Sequence, residues 1–333
     1  MVNLSEHDAT VSGFDLDRIR ADHHLPRTYL VRHVTRYDYE APRSAAYERG
    51  RLTPRDTATQ QVVSTTTTLE PTPEVHTTHV DNYGNLSEYI EVREPYTMLE
   101  LAKESVVRVD WPAPDVEALN RWSLAEAAQA VAANGDPVDV TEFTMASPLV
   151  EVTPEVAAYA AEVLHPDQRF GDALVHLTTS IYTDFTYKSG VTNVRTTLSE
   201  LLELRAGVCQ DFAQLAIGCL RTFGIPARYV SGYLETSPPP GAPKLQGSDA
   251  SHAWVSALTP EGGWVDLDPT NNHFADSRYV VTAWGRDFQD VSPLRGIVYG
   301  EDTESTLDVG VDVLLLNDLG EVAVEVVPKV RPA

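Results

Sequence analysis

Cys209, His252 and Asp268 are of the residue types that, brought together, perform nucleophilic chemistry on a carbonyl. A cysteine attacks as thiolate, a histidine shares the proton and returns it to the leaving group, and a carboxylate fixes the imidazole's tautomer and stabilises its charged form. The expected reaction is acyl transfer through a thioester, with an amide as the electrophile. Order along the chain does not bring three side chains together, so the elements that carry them decide whether the chemistry is available.

The stretch Leu204–Leu220 reads as a glycine-bearing turn that delivers Cys209 to the start of a helix, with Phe212, Ala213, Leu215, Ala216, Ile217, Cys219 and Leu220 following. A helix apolar all round is normally buried. At its N-terminus the macrodipole and unpaired N–H groups favour thiolate, and the backbone N–H of Cys209 is a natural oxyanion donor. Asp211 reads as a charge complementing the helix start rather than as a residue of the site. Gln210 is a candidate for lining the cleft. Cys219 lies ten positions on, ~15 Å along the helix axis, and reads as core packing out of disulfide reach.

The base and orienter come from a predicted hairpin, His252–Leu258 and Trp264–Asp268, around Thr259-Pro-Glu-Gly-Gly263. A tight turn at Pro260 sets His252 directly opposite Asp268, where Cβ atoms lie ~4.5–5.5 Å apart and a hydrogen bond can form. Trp254 and Trp264 share that face and are expected to wall the site from water. Asp266 lies there too, as the alternative orienter. His273 and Asn271 follow closely but need no more than a loop explanation.

Around this core the chain reads as α+β. A polar tail, 1–26, precedes a β-rich domain, 27–112, with strands at Thr28–Tyr39, Gln60–Leu69, Val75–Val80, Leu86–Val92 and Leu99–Val109. A connection, 113–150, holds a helix around Leu119–Ala133 and an irregular piece from Pro137. The core, 151–300, takes a helix opened by Pro154, a second over Asp172–Phe185, a capping box at Thr197-Leu-Ser-Glu200, the Cys209 helix ended by Gly224, and then strands. The loop Glu235–Ala250, rich in proline and glycine, would suit a lid or a passive surface. A C-terminal β-hairpin, 301–333, turns at Asn317-Asp-Leu-Gly320. His76 and His79 fall on opposite faces of a strand and form no metal pair.

Composition narrows the function. A net charge of −24 argues against nucleic acid and against anionic membranes, both of which need clustered Lys and Arg. No apolar run reaches the ~18 residues of a membrane helix. Two free thiols and a tail with no apolar signal core point to the cytoplasm.

The segments Gly207-Val-Cys-Gln-Asp-Phe-Ala213, Ser251-His-Ala-Trp-Val255 and Gly263-Trp-Val-Asp-Leu-Asp-Pro-Thr-Asn271 together resemble the bacterial transglutaminase-like superfamily. Arg32-His-Val-Thr-Arg-Tyr-Asp-Tyr39, Arg51-Leu-Thr-Pro-Arg55 and Asp81-Asn-Tyr-Gly-Asn85 resemble the β-rich domain that precedes the core in bacterial members, and Val281–Gly296 looks like the segment that follows it. The resemblance implies a papain-like transglutaminase core with Cys209, His252 and Asp268 as its triad. Mammalian-type members help hold the oxyanion with a tryptophan ahead of the cysteine. None lies between Trp122 and Trp254 here, so Tyr187 is the candidate for that place, weighed against packing beside Phe185. No calcium loop of the EF-hand type is present and no cofactor is expected. The expected function is a peptidase or amidase acting on a peptide or protein amide. The alternatives are a protein-glutamine transglutaminase with an amine as acceptor, and a non-catalytic binding module on the same fold.

Overall fold

The computed structural model describes residues 21–236, 243–301 and 304–327. The polar tail up to residue 20, the middle of the 235–250 loop and the last residues of the expected C-terminal hairpin lie outside them. Among the described residues no helix is long and apolar enough to cross a membrane.

The first sheet is built on β1 (Arg27–Gly50), a 24-residue strand, with β2 (Gln60–Glu70), β3 (Val75–Val80), β4 (Leu86–Val92) and β5 (Tyr96–Val109). The sequence reading stopped β1 at Tyr39, and the structure shows why a break is legible there. The register on β5 shifts between Asp38 and Arg43, across Pro42, which has no N–H to give a ladder. The chain then resumes as a strand with new partners.

A helical layer follows: α1 (Val116–Leu119), α2 (Leu124–Asn134), α3 (Pro137–Thr144), α4 (Pro154–Val163), α5 (Phe170–Asp184), α6 (Leu198–Leu204) and α7 (Cys209–Thr222). Two short strands that frame α6, β6 (Thr186–Tyr187) and β7 (Ala206–Gly207), pair in parallel. The expected single helix around 119–133 is two, because Ser123 and Glu126 form a capping box that starts α2 afresh. The piece expected to be irregular from Pro137 is helical. Asp136 accepts the N–H groups of Val138 and Asp139, and Pro137 occupies a first-turn position where its missing N–H costs nothing.

The second sheet holds β8 (Ala227–Leu234), β10 (Ser251–Leu258), β11 (Trp264–Asp268), β12 (His273–Phe274) and β13 (Tyr279–Gly285), in the order β12-β11-β10-β8-β13, while β9 (Lys244–Leu245) lies apart from it. Beyond a short helix α8 (Phe288–Val291), β14 (Leu294–Gly300) and β15 (Ser305–Leu315) both return to β1. The expected C-terminal hairpin is therefore not a separate unit. Its turn at Asn317–Gly320 forms, but β15 pairs with residues 29–39, and β16 (Val326–Val327) pairs in parallel with β9.

The second sheet is buried on both faces. Ala253, Val255 and Ala257 of β10 pack on the helical layer with Leu215, Ala216 and Ile217 of α7. Trp254 and Tyr279 pack against Tyr29, Val107 and Val313 of the first sheet. The chain is α+β, and the helical layer and the first sheet clamp the strand that carries His252.

Candidate active site

Helix α7 begins at Cys209 because a carboxylate from its own first turn caps it. Val208 is extended and has no side-chain acceptor, so Asp211 reaches back, its carboxylate accepting the Val208 N–H at 2.8 Å and the Thr192 hydroxyl at 2.7 Å. A Cβ on Gly207 would lie 2.6 Å from that carboxylate, so the cap needs glycine there. Asp211, expected as a charge beside the helix start, is thus a buried helix cap. Burial pushes its carboxyl above the usual range, against the pull of Thr192 and the Val208 N–H. Cys209, as the first helical residue, keeps a backbone N–H without an intrahelical partner, and the residue is only partly buried. Cys219 is fully buried, and burial pushes its thiol far up.

The hairpin forms with a register two residues from the expected one. Its ladder pairs Leu258 with Trp264 and Ser256 with Asp266. The loop closes through Gly262 N–H to the Thr259 carbonyl and Thr259 N–H to the Gly263 carbonyl, with Gly262 at φ +83°. The turn is therefore centred on Glu261 rather than Pro260. His252 and Asp268 are diagonal rather than opposed, ~7–8 Å between backbones and within reach of an imidazole. The side chains still meet, His252 Nε2 lying 2.7 Å from Asp268 Oδ2.

Asp268 is fully buried and saturated with donors. Thr270 and Asn271 give it backbone N–H groups at 2.8 and 3.2 Å, the Asn271 side-chain amide donates at 2.7 Å, and the Tyr279 hydroxyl at 2.5 Å. Burial alone would raise its carboxyl. The charge and hydrogen bond of His252, with His273 and Tyr279, outweigh burial and hold it well below the usual range. His252 is the mirror image. Burial opposes its protonation, yet Asp268 and a hydrogen bond with Cys209 push it up to about 10. With Nε2 on Asp268, Nδ1 is the ring nitrogen left for the Cys209 sulfur. One imidazole thus bonds the carboxylate and neighbours the thiol.

The remaining expected site residues divide. Tyr187 lies beside the thiol, its ring edge-on to Phe212 at 6.4 Å. Burial first, then Cys209, push its hydroxyl up to about 12. Gln210 is half-buried next to Cys209. Trp254 is fully buried, so it walls no cleft. It stacks on His252 with ring centres 6.2 Å apart and donates Nε1 to Asp266 at 2.7 Å. Trp264 stands at the other end of β11, against Phe143 and Arg228, and lines a separate cavity with Asp266. Strand parity correctly put both indoles on one face, but that face meets the first sheet. Asp266 bonds Trp254 and Ser256, not His252. Tyr279 is absent from the sequence reading. It comes from β13, which pairs only with β8, and no local spacing links it to Asp268. Asn271, read as a loop residue, touches both members, 3.5 Å from His252 Nε2.

Residues 157–269 match the transglutaminase-like superfamily, and residues 29–108 match the bacterial transglutaminase-like N-terminal region. A Mycobacterium tuberculosis protein is 44% identical over 295 residues, spanning 86% of this chain and 92% of that one. A Mycobacterium leprae protein is 32% identical over 291 residues, spanning 86% and 98%. Among solved structures, a candidate cysteine protease from Cytophaga hutchinsonii superposes with a TM-score of 0.72 at 20% identity, over 88% of this chain and 92% of that one, and so shares the fold. The chain belongs to the transglutaminase-like superfamily, with the N-terminal region of its bacterial members.

Proposed function

We propose that the protein is a cysteine-dependent hydrolase of amide or peptide bonds, working through a thioester on Cys209. The observation that carries this reading is the His252 ring, held at 2.7 Å by the Asp268 carboxylate and raised in basicity by that carboxylate and by the neighbouring Cys209. The Cys209 sulfur attacks the carbonyl carbon, and the oxyanion forms beside the backbone N–H at the start of α7. The carbon–nitrogen bond breaks as His252 gives its proton to the departing amine. Water then attacks the thioester carbon and gives a proton to His252, releasing the acid and the thiol. Asp268 holds the imidazole in the tautomer this needs and stabilises its charge. Tyr187 and Gln210 are the side chains we assign to the cleft.

An amine in place of water would make the protein a transglutaminase. That second reading has one observation in its favour. A stretch of 72 residues is 42% identical to a Pseudomonas aeruginosa protein-glutamine gamma-glutamyltransferase, though this is 11% of that protein's length. Both cysteines are free thiols, which supports a reducing compartment such as the cytoplasm.

Two measurements test the reading. Iodoacetamide should alkylate Cys209 faster than a free thiol at neutral pH, and the enhancement should vanish in His252→Ala. A rate no faster than a free thiol's would sink the enzyme reading and leave a binding module. Incubation with amide and peptide libraries, with and without a primary amine, should give free acids in both cases. Products carrying the amine would assign the transglutaminase reading instead.

A further inference from the structure

An aromatic-walled hollow in the second sheet's neighbourhood lies away from Cys209. It lies where the first sheet's loops, α3 and the Trp264 end of β11 converge, with a volume of about 620 Å³. That is within the ~300–1,000 Å³ typical of small-molecule sites. Phe143, Trp264, Trp284 and Trp111 supply apolar wall, and none of Cys209, His252 or Asp268 lines it.

Two charged groups there lack protein partners. The Arg228 guanidinium is sandwiched between the rings of Trp264 and Trp284, at 4.0 and 3.8 Å from their centres. Indole faces hold a guanidinium in place but leave its in-plane N–H donors unused. Among the described residues Arg228 has neither a hydrogen bond nor an ion pair, and its Nε is buried without an acceptor. A buried donor left unmade costs free energy, so its partner is expected from outside the chain. Arg55, on Trp284 at 3.4 Å, shows the contrast. Its Nε is also buried without an acceptor, but its Nη1 donates to the Tyr83 carbonyl and the Asn85 side chain, whereas no nitrogen of Arg228 has an acceptor among the described residues. The second group is Asp139, in the first turn of α3, half-buried and lining the same hollow. Its carboxylate feels Arg228 only at a distance, without an ion pair.

A fixed guanidinium, an unpaired carboxylate and aromatic walls select a zwitterion. A plain anion on Arg228 would face Asp139, Glu142 and Asp266, and a plain cation on Asp139 would face Arg228. We propose that this cavity binds an apolar amino acid or dipeptide with both ends free. Its carboxylate lies in the plane of Arg228, its ammonium on Asp139, and its side chain against the aromatic wall. The site stands independently of the chemistry at Cys209. It meets that region through Asp266, which accepts from Trp254 beneath His252, and through Trp111, which donates to the Tyr279 carbonyl.

Titration calorimetry of the full chain tests this with L-phenylalanine, L-leucyl-L-phenylalanine, N-acetyl-phenylalanine and phenylalanine amide. At least one free zwitterion should bind saturably, and each blocked form of phenylalanine should bind at least about tenfold weaker. Arg228→Gln and Asp139→Asn should each weaken the zwitterion by a similar factor, and Cys209→Ala should change nothing. In Asp139→Asn the acetylated form should bind as well as phenylalanine itself, because the amine has lost its partner. Should Arg228→Gln fail to fold, Asp139→Asn and the blocked ligands on the unaltered chain still decide. Absence of saturable heat at millimolar ligand, equal binding of the blocked forms, or affinities unmoved in both variants would overturn the assignment.

Discussion

Asp266 and Asp268 sit two residues apart on β11, both nearly withdrawn from solvent, yet their carboxyl groups are held in opposite directions. Asp266 is raised, because burial outweighs the nearby Arg228 charge and the hydrogen bonds of its direct partners, Trp254 Nε1 and Ser256 Oγ, which are neutral. Asp268 is lowered, because burial is overcome by an imidazole, a phenol, an amide and two backbone N–H groups. Burial is common to both. What separates them is whether a charged partner is in direct hydrogen-bonding contact, as His252 is with Asp268 and Arg228 is not with Asp266, and that follows from which end of β11 each occupies. One end lies under Trp254, inside the packing between the sheets. The other meets His252 and the N-terminus of α7.

The sharpest way to break this contrast is to remove each carboxylate in turn. Asp268→Asn should lower the turnover of any substrate, and the enhanced alkylation of Cys209, by on the order of 10²–10⁴-fold, since an amide neither fixes the working tautomer nor stabilises an imidazolium. Asp266→Ala should instead cost stability. It leaves the Trp254 N–H and Ser256 hydroxyl buried without their acceptor, for about 1–3 kcal/mol in urea unfolding. It should leave most of the alkylation rate in place. If Asp266→Ala proves the more damaging to reactivity, Asp266 is the orienter and the assignment of roles along β11 is reversed.

The pH dependence of stability sharpens the same contrast. His252 rises from 6.5 to about 10 on folding, so its contribution is full below about 6.5 and fades as pH climbs through about 10. Asp268 falls below its ordinary 3.8, so its contribution is present above that value and is lost as pH drops beneath it. Asp266, shifted upward, contributes oppositely and loses stability as pH rises from 3.8. Thermal unfolding should therefore weaken between pH 6.5 and 10 in the native chain. In Asp268→Asn, only Cys209 is left to oppose the lowering of His252 by burial, and this alkaline loss should flatten. An unchanged alkaline slope in that variant would mean that the imidazolium is not what Asp268 holds.

These contrasts were unevenly legible in the sequence. The α7 start was legible because its causes are local: Gly207 makes room, Asp211 caps, and Gly224 at φ +74° ends the helix. The hairpin was legible to within one residue of its turn centre. The contact survived the error because an imidazole spans a diagonal as well as a direct pairing. Which face of β10 and β11 meets solvent was not legible. Parity groups Trp254 with Trp264 but carries no information about the first sheet lying over them. The pairing of β14 and β15 with β1 was equally hidden, since it joins segments more than 240 residues apart. At the site itself the missing piece was Tyr279, whose approach to Asp268 depends on how β13 lies beyond β8.

Tyr279 gives the smallest and most discriminating prediction. Its hydroxyl donates to the same Oδ2 that faces His252, and its ring packs edge-on against Trp254 at 5.2 Å. Tyr279→Phe keeps the ring and deletes one of several donors to a charged acceptor. Stability should fall by about 1–2 kcal/mol, and the alkylation rate of Cys209 by about two- to tenfold. The loss in rate should be far smaller than for Asp268→Asn, because the carboxylate and its imidazole remain. A Tyr279→Phe variant as inert as Asp268→Asn would move the phenol from positioning into the reaction itself. One with unaltered rate but lower stability would place Tyr279 on the Asp266 side of the comparison, as packing between the sheets.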